Sequence, residues 1–367
     1  MNSPLIRDYM PELDVVRGIA VLLVLFLHGM ALPLQGELST FGRVLYDLSQ
    51  YGWVGVNLFF VLSGFLITGI LLDSRHRPDY FRRFYIRRAL RILPALYALL
   101  LILEITGLAS SPFIAVSFLF LANFAGFLGI TKGYGVLWSL AVEEHFYMLW
   151  PFIVRKCSLR KLLTLTIVIF LGSPFLRILL LVNPVPQHYA SFYTWFNLDG
   201  LGLGALLAIW LRMPSFRRAQ LARVALPAML LGGIAFVTLA GHPWADVTLA
   251  KTACNLASAG FLSCTLLAGS SKWKAYVDWP IFKFFGFISY GLYLIHILAF
   301  HVASILLSHY LATPLTRNPL AAMLLHFCGG LVLATAIAYL SRRSLEERFL
   351  RIGYSSRRVE LLRPSFV

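Results

Sequence analysis

Charge is what this 367-residue chain has least of. Asp, Glu, Lys and Arg together make up 13 % of it, where a soluble globular domain carries about 25 %. Acids are half as many as bases, 16 against 32. So little charge cannot cover a water-facing surface, which excludes an ordinary soluble enzyme. The 59 % of hydrophobic residues excludes a disordered chain, because disorder needs low hydrophobicity. Cysteine is scarce too. Cys157, Cys254, Cys264 and Cys328 form no CxxC, and the last three lie in apolar runs. They read as small core residues, not as a disulfide framework or a metal site. No internal repeat or low-complexity linker is present. The first apolar run carries Asp14, Arg17 and His28 and lacks a small-residue cleavage site, so no cleavable signal peptide is expected.

What the chain has instead is apolar length. Its mean hydropathy is +0.76, and eleven apolar segments can be counted, at roughly 15–34, 51–72, 92–109, 113–130, 137–154, 162–182, 193–211, 224–241, 248–269, 281–307 and 319–340. A spanning helix needs ~20 such residues. The net charge of +16 would suggest nucleic acid in a soluble protein. Here 26 of the 32 bases crowd into alternate gaps between the segments and into the last residues. That placement reads as orientation signals and contacts with membrane lipid, with no nucleic-acid partner. Both termini are then expected to be cytoplasmic. If all three segments between 92 and 154 crossed, Arg155–Lys161 would fall on the wrong side. One of them must therefore fail to span, and 113–130, interrupted by Asn123, Gly126 and Gly129, is the one expected to be re-entrant or broken. The expected fold class is all-α: a polytopic membrane helix bundle of about ten crossings plus that segment. One membrane domain would cover residues 1–340, followed by a basic cytoplasmic tail, 341–367.

A charge inside a spanning segment costs several kcal/mol, so each one is a functional candidate. In ELDVVRGIAVLLVLFLHGM, Arg17 and His28 are eleven residues apart. At 100° per residue that is about 1100°, within ~20° of three full turns, so both face one side, ~16 Å apart along the axis. Asp14 lies on the same stripe. Imidazole is the usual general base near neutral pH; the plainer alternative is an interfacial arginine and a satisfied polar histidine. In WVGVNLFFVLSGFLITGILL, Asn57, Ser63, Gly64 and Thr68 form a small, polar stripe suited to close helix packing. Ser63 has no base beside it in sequence and no GxSxG elbow. In YFRRFYIRRALRILPALY, Arg88 and Arg91 share a helical face, with Arg87 beside them. They read either as a positive-inside cluster or as a polyphosphate site, for which arginine's bidentate fork is suited. In GYGVLWSLAVEEHFYMLWPFIV, Glu143 and Glu144 point ~100° apart, so one of them is expected to face the interior. There a carboxylate pairs with Arg17, orients His28, holds a proton, or is purely structural.

Fainter marks follow. Asp199 lies in the glycine-rich FNLDGLGLGALLA, which lacks the βαβ setting of a dinucleotide fingerprint. Arg177 lies mid-segment, facing Asp199 or a glutamate. His296, His301, His309 and His326 show no metal-ligand spacing, and no metal site is expected. A structural or interfacial role is expected for all of these.

In their order along the chain, LDVVRGIAVLLVLFLH, FFVLSGFLIT, FYIRRALRILPALY, FLFLANF, WSLAVEEHFYMLWP, LDGLGLGALLA and ISYGLYLIH resemble the membrane acyltransferase-3 family. They run from about residue 12 to 296. The family comprises multi-pass enzymes that O-acylate carbohydrates on the far side of the membrane, with acetyl-CoA the usual donor. The resemblance implies Arg17 and His28 as the paired active-site residues of the first helix. It implies Arg88 and Arg91 as a site linked to the acyl donor, and it places Glu143 or Glu144 in the WSLxxE-type segment. His145 stands where glutamine is common, and the proline often found after the position of His296 is missing; neither departure touches the central pair. Some members carry a fused SGNH hydrolase-like domain. Here an arginine-rich stretch is expected instead, so transfer would finish in the membrane domain or with separate glycan-assembly proteins.

The expectation is therefore a bacterial inner-membrane O-acyltransferase. CoA would lie against the cytoplasmic face near Arg88 and Arg91, with His28 as general base or transient acyl carrier and Arg17 or a glutamate stabilising charge. The acceptor would be a glycan or glycolipid hydroxyl, of the lipopolysaccharide or exopolysaccharide kind. A proton-coupled transporter or exporter would use intramembrane Arg, Glu and His equally well, but it predicts paired broken helices in repeated halves. A non-catalytic assembly partner would tolerate changes at both Arg17 and His28.

Overall fold

The computed structural model describes residues 5–7, 9–31, 37–180, 192–242, 245–310 and 318–353. Among these no strand occurs. The helices are α1 (Pro11–Met30), α2 (Thr40–Ser49), α3 (Val54–Asp73), α4 (Tyr80–Thr106), α5 (Ser111–Phe118), α6 (Leu137–Lys156), α7 (Leu159–Leu179), α8 (Leu198–Trp210), α9 (Arg218–Leu239), α10 (Lys251–Gly269), α11 (Pro280–Phe287), α12 (Ser289–Tyr310), α13 (Pro319–Ser341) and α14 (Glu347–Gly353). Local chemistry fixes several ends. Ser39, Ser158 and Asn318 accept hydrogen bonds from the backbone three residues on, which caps α2, α7 and α13. Gly107 closes α4 with φ +63°, a conformation that favours glycine.

Eight helical runs among the described residues are long and apolar enough to cross a membrane: Pro11–Met30, Thr40–Asp73, Tyr80–Thr106, Leu159–Leu179, Arg218–Leu239, Thr248–Gly269, Ser289–His309 and Pro319–Ile352. The chain is an all-α, multi-pass membrane protein. Two of the expected crossings stand outside that group for different reasons. The α6 helix has the length, but Glu143, Glu144 and His145 interrupt its apolar character. The α8 helix is apolar, but only 13 residues long. The segment 113–130 is broken, as its sequence suggests. The α5 helix stops at Phe118, Phe120 takes φ +58°, a short 3-10 turn covers Ala122–Phe124, and Gly129 takes φ +70°. Its freed backbone groups bond locally, Leu121 to the Val116 carbonyl at 2.7 Å and Ile130 to that of Ala125 at 2.9 Å. From 341 the helix runs on through a π-helical stretch, Arg342–Glu346, into α14. The rest of the expected basic tail, 354–367, lies outside the described residues, as does Arg317. Of the cysteines only Cys254 is buried; Cys328 is exposed, so the expectation of core residues fits one of the four well.

The chain forms two compact units, one of Met1–Leu13, Asn57–Arg88 and Leu100–Val277, the other of Asp14–Val56, Ala89–Leu99 and Asp278–Val367. In the first, α3 and α8 meet backbone to backbone. A Cβ on Gly64 would strike the Leu201 carbonyl, and one on Gly204 the Val61 carbonyl. The α9 and α10 helices do the same through Gly232 and Gly260. Lipid gives helices no hydrophobic reason to associate, so close approach through small residues supplies the contact. Hydrogen bonds that hold α6 to its neighbours include Trp150 Nε1 to Thr68 Oγ1 at 2.8 Å and Tyr80 Oη to the Pro151 carbonyl at 3.0 Å. In the second unit, Gly18 of α1 lies against the Phe282 carbonyl of α11, and the Phe300 ring of α12 fills the space left by Gly29 and Gly330. Valine at position 64 or 204 is therefore expected to lower the melting midpoint of the detergent-solubilised protein, at a cost of about 1–3 kcal/mol. Alanine at Gly233, where a Cβ meets nothing within 4 Å, should leave it nearly unchanged.

Candidate active site

The second unit holds His28. Its Nδ1 lies 3.0 Å from the Val24 carbonyl one turn back and 3.2 Å from Nε2 of His296. The two rings are 4.9 Å apart between centroids and tilted by 56°. His296 is fully enclosed, and its Nδ1 faces the Tyr293 carbonyl at 2.7 Å. The tautomers follow from these partners. A carbonyl only accepts, so Nδ1 of neutral His296 carries its hydrogen and Nε2 presents a lone pair. Both neighbours of His28 Nδ1 are then acceptors, so that atom donates. The lone pair of His28 is left on Nε2, and the residue keeps partial exposure. A neutral imidazole with one nitrogen tied and the other open is a general base in waiting. His296, expected to be merely structural, is thus the group that orients His28.

Arg17, on the same helix, pairs with Asp14 at 2.5 Å, the partner that its stripe offers. Next along α1, the Gly29 carbonyl lies 2.8 Å from Nδ1 of His326, whose Nε2 is 2.9 Å from Ser304 Oγ and 3.1 Å from the Phe300 carbonyl. That buried histidine is fully occupied in joining α1, α12 and α13. His301 and His309 are exposed.

The first unit holds the glutamates. They point apart on α6, yet both find partners. Glu143 Oε1 accepts a hydrogen bond from Ser63 Oγ of α3 at 2.5 Å. Glu144 lies 3.7 Å from Arg88 Nε of α4, and the Arg88 guanidinium sits 3.8 Å over the ring of Tyr147. Arg88 pairs with Glu144, whereas Arg91 falls in the second unit with Glu346 among its charged neighbours. Arg177 does face Asp199. The two side chains are each 1 % exposed and 2.7 Å apart, and the arginine also reaches the carbonyls of Thr248 and Phe196 and the hydroxyl of Thr252. Among the described residues no group of three or more His, Cys, Asp or Glu gathers as a metal site.

A family profile described as an acyltransferase domain, that of acyltransferase-3, matches residues 10–343. The chain belongs to the acyltransferase-3 family. This acyltransferase-3 chain is similar to the peptidoglycan O-acetyltransferase OatA of Listeria monocytogenes, 31 % identical over 45 % of this chain and 28 % of that protein. It is similar to the putative peptidoglycan O-acetyltransferase YrhL of Bacillus subtilis, 35 % identical over 39 % of this chain and 23 % of that one. With the O-acetyltransferase OatA of Staphylococcus aureus the identity is 29 % over 57 % and 36 % respectively. The chain thus spans about a quarter to a third of the length of these relatives. No solved structure matches it.

Sequence reasoning missed two pairings, His28 with His296 and Ser63 with Glu143. A signal was present only for the first, since His296 ends the ISYGLYLIH motif.

Proposed function

We propose that the chain is an O-acetyltransferase of the bacterial cytoplasmic membrane. It moves an acetyl group from acyl-CoA on the cytoplasmic side to a hydroxyl of a cell-surface glycan. The family membership and the names of the relatives support this reading, and those names favour peptidoglycan over the lipopolysaccharide or exopolysaccharide acceptors expected from sequence. The observation that carries it is the open Nε2 of His28, a base held by a partner inside a membrane helix. His28 deprotonates the acceptor hydroxyl or carries the acyl group transiently, and Arg17 stabilises charge along the path. Arg88 and Arg91 receive the phosphates of CoA, which must displace Glu144 from Arg88. The crowding of lysine and arginine into alternate gaps supports cytoplasmic termini.

The test uses purified protein in nanodiscs with labelled acetyl-CoA, with and without peptidoglycan strands or a membrane glycolipid extract. CoA release that requires an acceptor is expected. In the Arg88→Ala protein the donor KM should rise about tenfold, the worth of one charge-assisted contact. A donor neither bound nor consumed with any acceptor would overturn the reading.

A further inference from the structure

A serine in the middle of a membrane helix ordinarily turns its hydroxyl back to the carbonyl four residues earlier. Thr166, Ser263, Thr265 and Ser304 all do so here. Ser63 does not; its Oγ–H is given to Glu143 of another helix at 2.5 Å, within the range of a charge-assisted O–H···O⁻ bond. Both side chains keep partial exposure, whereas their neighbours Leu62, Gly64, Val142 and Glu144 are buried. One turn along α6 from Glu143, on the same face, Tyr147 carries the Arg88 guanidinium on its ring, so a fixed cation belongs to the same neighbourhood. A hydroxyl bonded to a base that is itself fixed on a second element is the arrangement of an activated nucleophile. The base that the sequence did not show lies 80 residues away along the chain.

We propose that Ser63 is the residue that takes the acyl group from the donor, with Glu143 as its base. The assignment rests on the acetyl-CoA reading above and deepens it, because it gives the carrier role to Ser63. In the first half-reaction Ser63 Oγ attacks the thioester carbon. The Oγ–C bond forms, the C–S bond breaks, the hydroxyl proton passes to Glu143, and CoA leaves as the thiolate. In the second half the acceptor oxygen attacks the ester carbon and the Oγ–C bond breaks. Glu143 returns its proton to Oγ, and the acceptor's proton passes to water, where it balances the thiolate. No oxidant, reductant or metal is needed.

The full-length protein in nanodiscs, given acetyl-CoA labelled in the acetyl group and no acceptor, tests this directly. Peptide mass spectrometry after a rapid quench should find one acetyl group on Ser63, and adding acceptor should discharge it. The Glu143→Gln protein should acquire the label at least ~10²-fold more slowly, the usual loss on removing a general base. Ser63→Ala should acquire none, and Ser63→Cys should carry the acetyl as a hydroxylamine-sensitive thioester, which shows that the variants fold. Acceptor-dependent turnover at an unchanged rate in Ser63→Ala, or label found on another residue and absent from Ser63, would overturn the assignment while the acetyltransferase reading stands. No turnover of the donor by the unaltered chain would overturn both.

Discussion

Acceptor-dependent CoA release by the His28→Ala protein is expected to fall by about 10²–10⁴-fold, the range for loss of a general base. Among the described residues His28 bonds only to its own helix and to His296, so the fold should survive. The expected cost, about 1–3 kcal/mol, is that of leaving Nε2 of the enclosed His296 without a donor. Asparagine at position 28 should behave alike in activity, because an amide cannot accept a proton near neutral pH. A change at His296 is expected to act differently. Phenylalanine there removes one of the two acceptors around His28 Nδ1, leaving the Val24 carbonyl and the base itself. The His296→Phe protein should lose roughly tenfold, with a shifted pH–rate profile, whereas a purely structural role would change stability and leave that profile alone. Full activity in His28→Ala would remove the residue from the mechanism.

The largest effect on stability is expected at Arg177. The side chain and its partner Asp199 are almost wholly enclosed, and the guanidinium is shared among Asp199, Thr252 and two backbone carbonyls. Thr252 in turn donates to Asp199 at 2.8 Å. This web ties α7 to the start of α8 and to α10. Truncating one member of a buried ion pair leaves the other charge without compensation, at about 3–5 kcal/mol. Arg177→Met should therefore lower the detergent melting midpoint far more than a substitution on the lipid-facing side of α7. Asp199→Asn orphans the buried guanidinium instead and should cost a comparable amount. Replacing both residues with apolar ones should recover much of the single-variant loss, since the penalty lies in the orphaned charge. An Arg177→Met protein that melts with the parent would show that the web contributes little.

Much of the architecture was legible because membrane helices announce themselves by length and apolar content. The broken stretch at 113–130 was legible from Asn123, Gly126 and Gly129 taken together with the side on which the Arg155–Lys161 cluster should fall. Which helix meets which was not legible. A stripe such as Asn57, Ser63, Gly64 and Thr68 shows the face of α3 that packs closely, but not that α8 and α6 cover it. The same gap explains the site. Helical spacing put Arg88 and Arg91 on one face, but it could not show that different acids engage them. Spacing turned Glu143 and Glu144 apart, and the expectation that one faces the interior followed. Both have partners because α3 and α4 flank α6, a fact of tertiary structure. His28 and Arg17 were candidates from one helix alone; the pairing of His28 with His296, distant in sequence, required the fold.

The backbone contact at Gly64 and Gly204 has a mechanical meaning for its neighbour Ser63. Two helices separated by a layer of side chains have slack, since rotamers change under load. Two helices in direct backbone contact have none, and the stretch of α3 between Val61 and Gly64 is clamped in this way onto α8. The hydroxyl at Ser63 is mounted as if on an anvil. On the Ser63 assignment, a donor must bring its own alignment, and small misfits in its shape are not absorbed by the protein but felt in full.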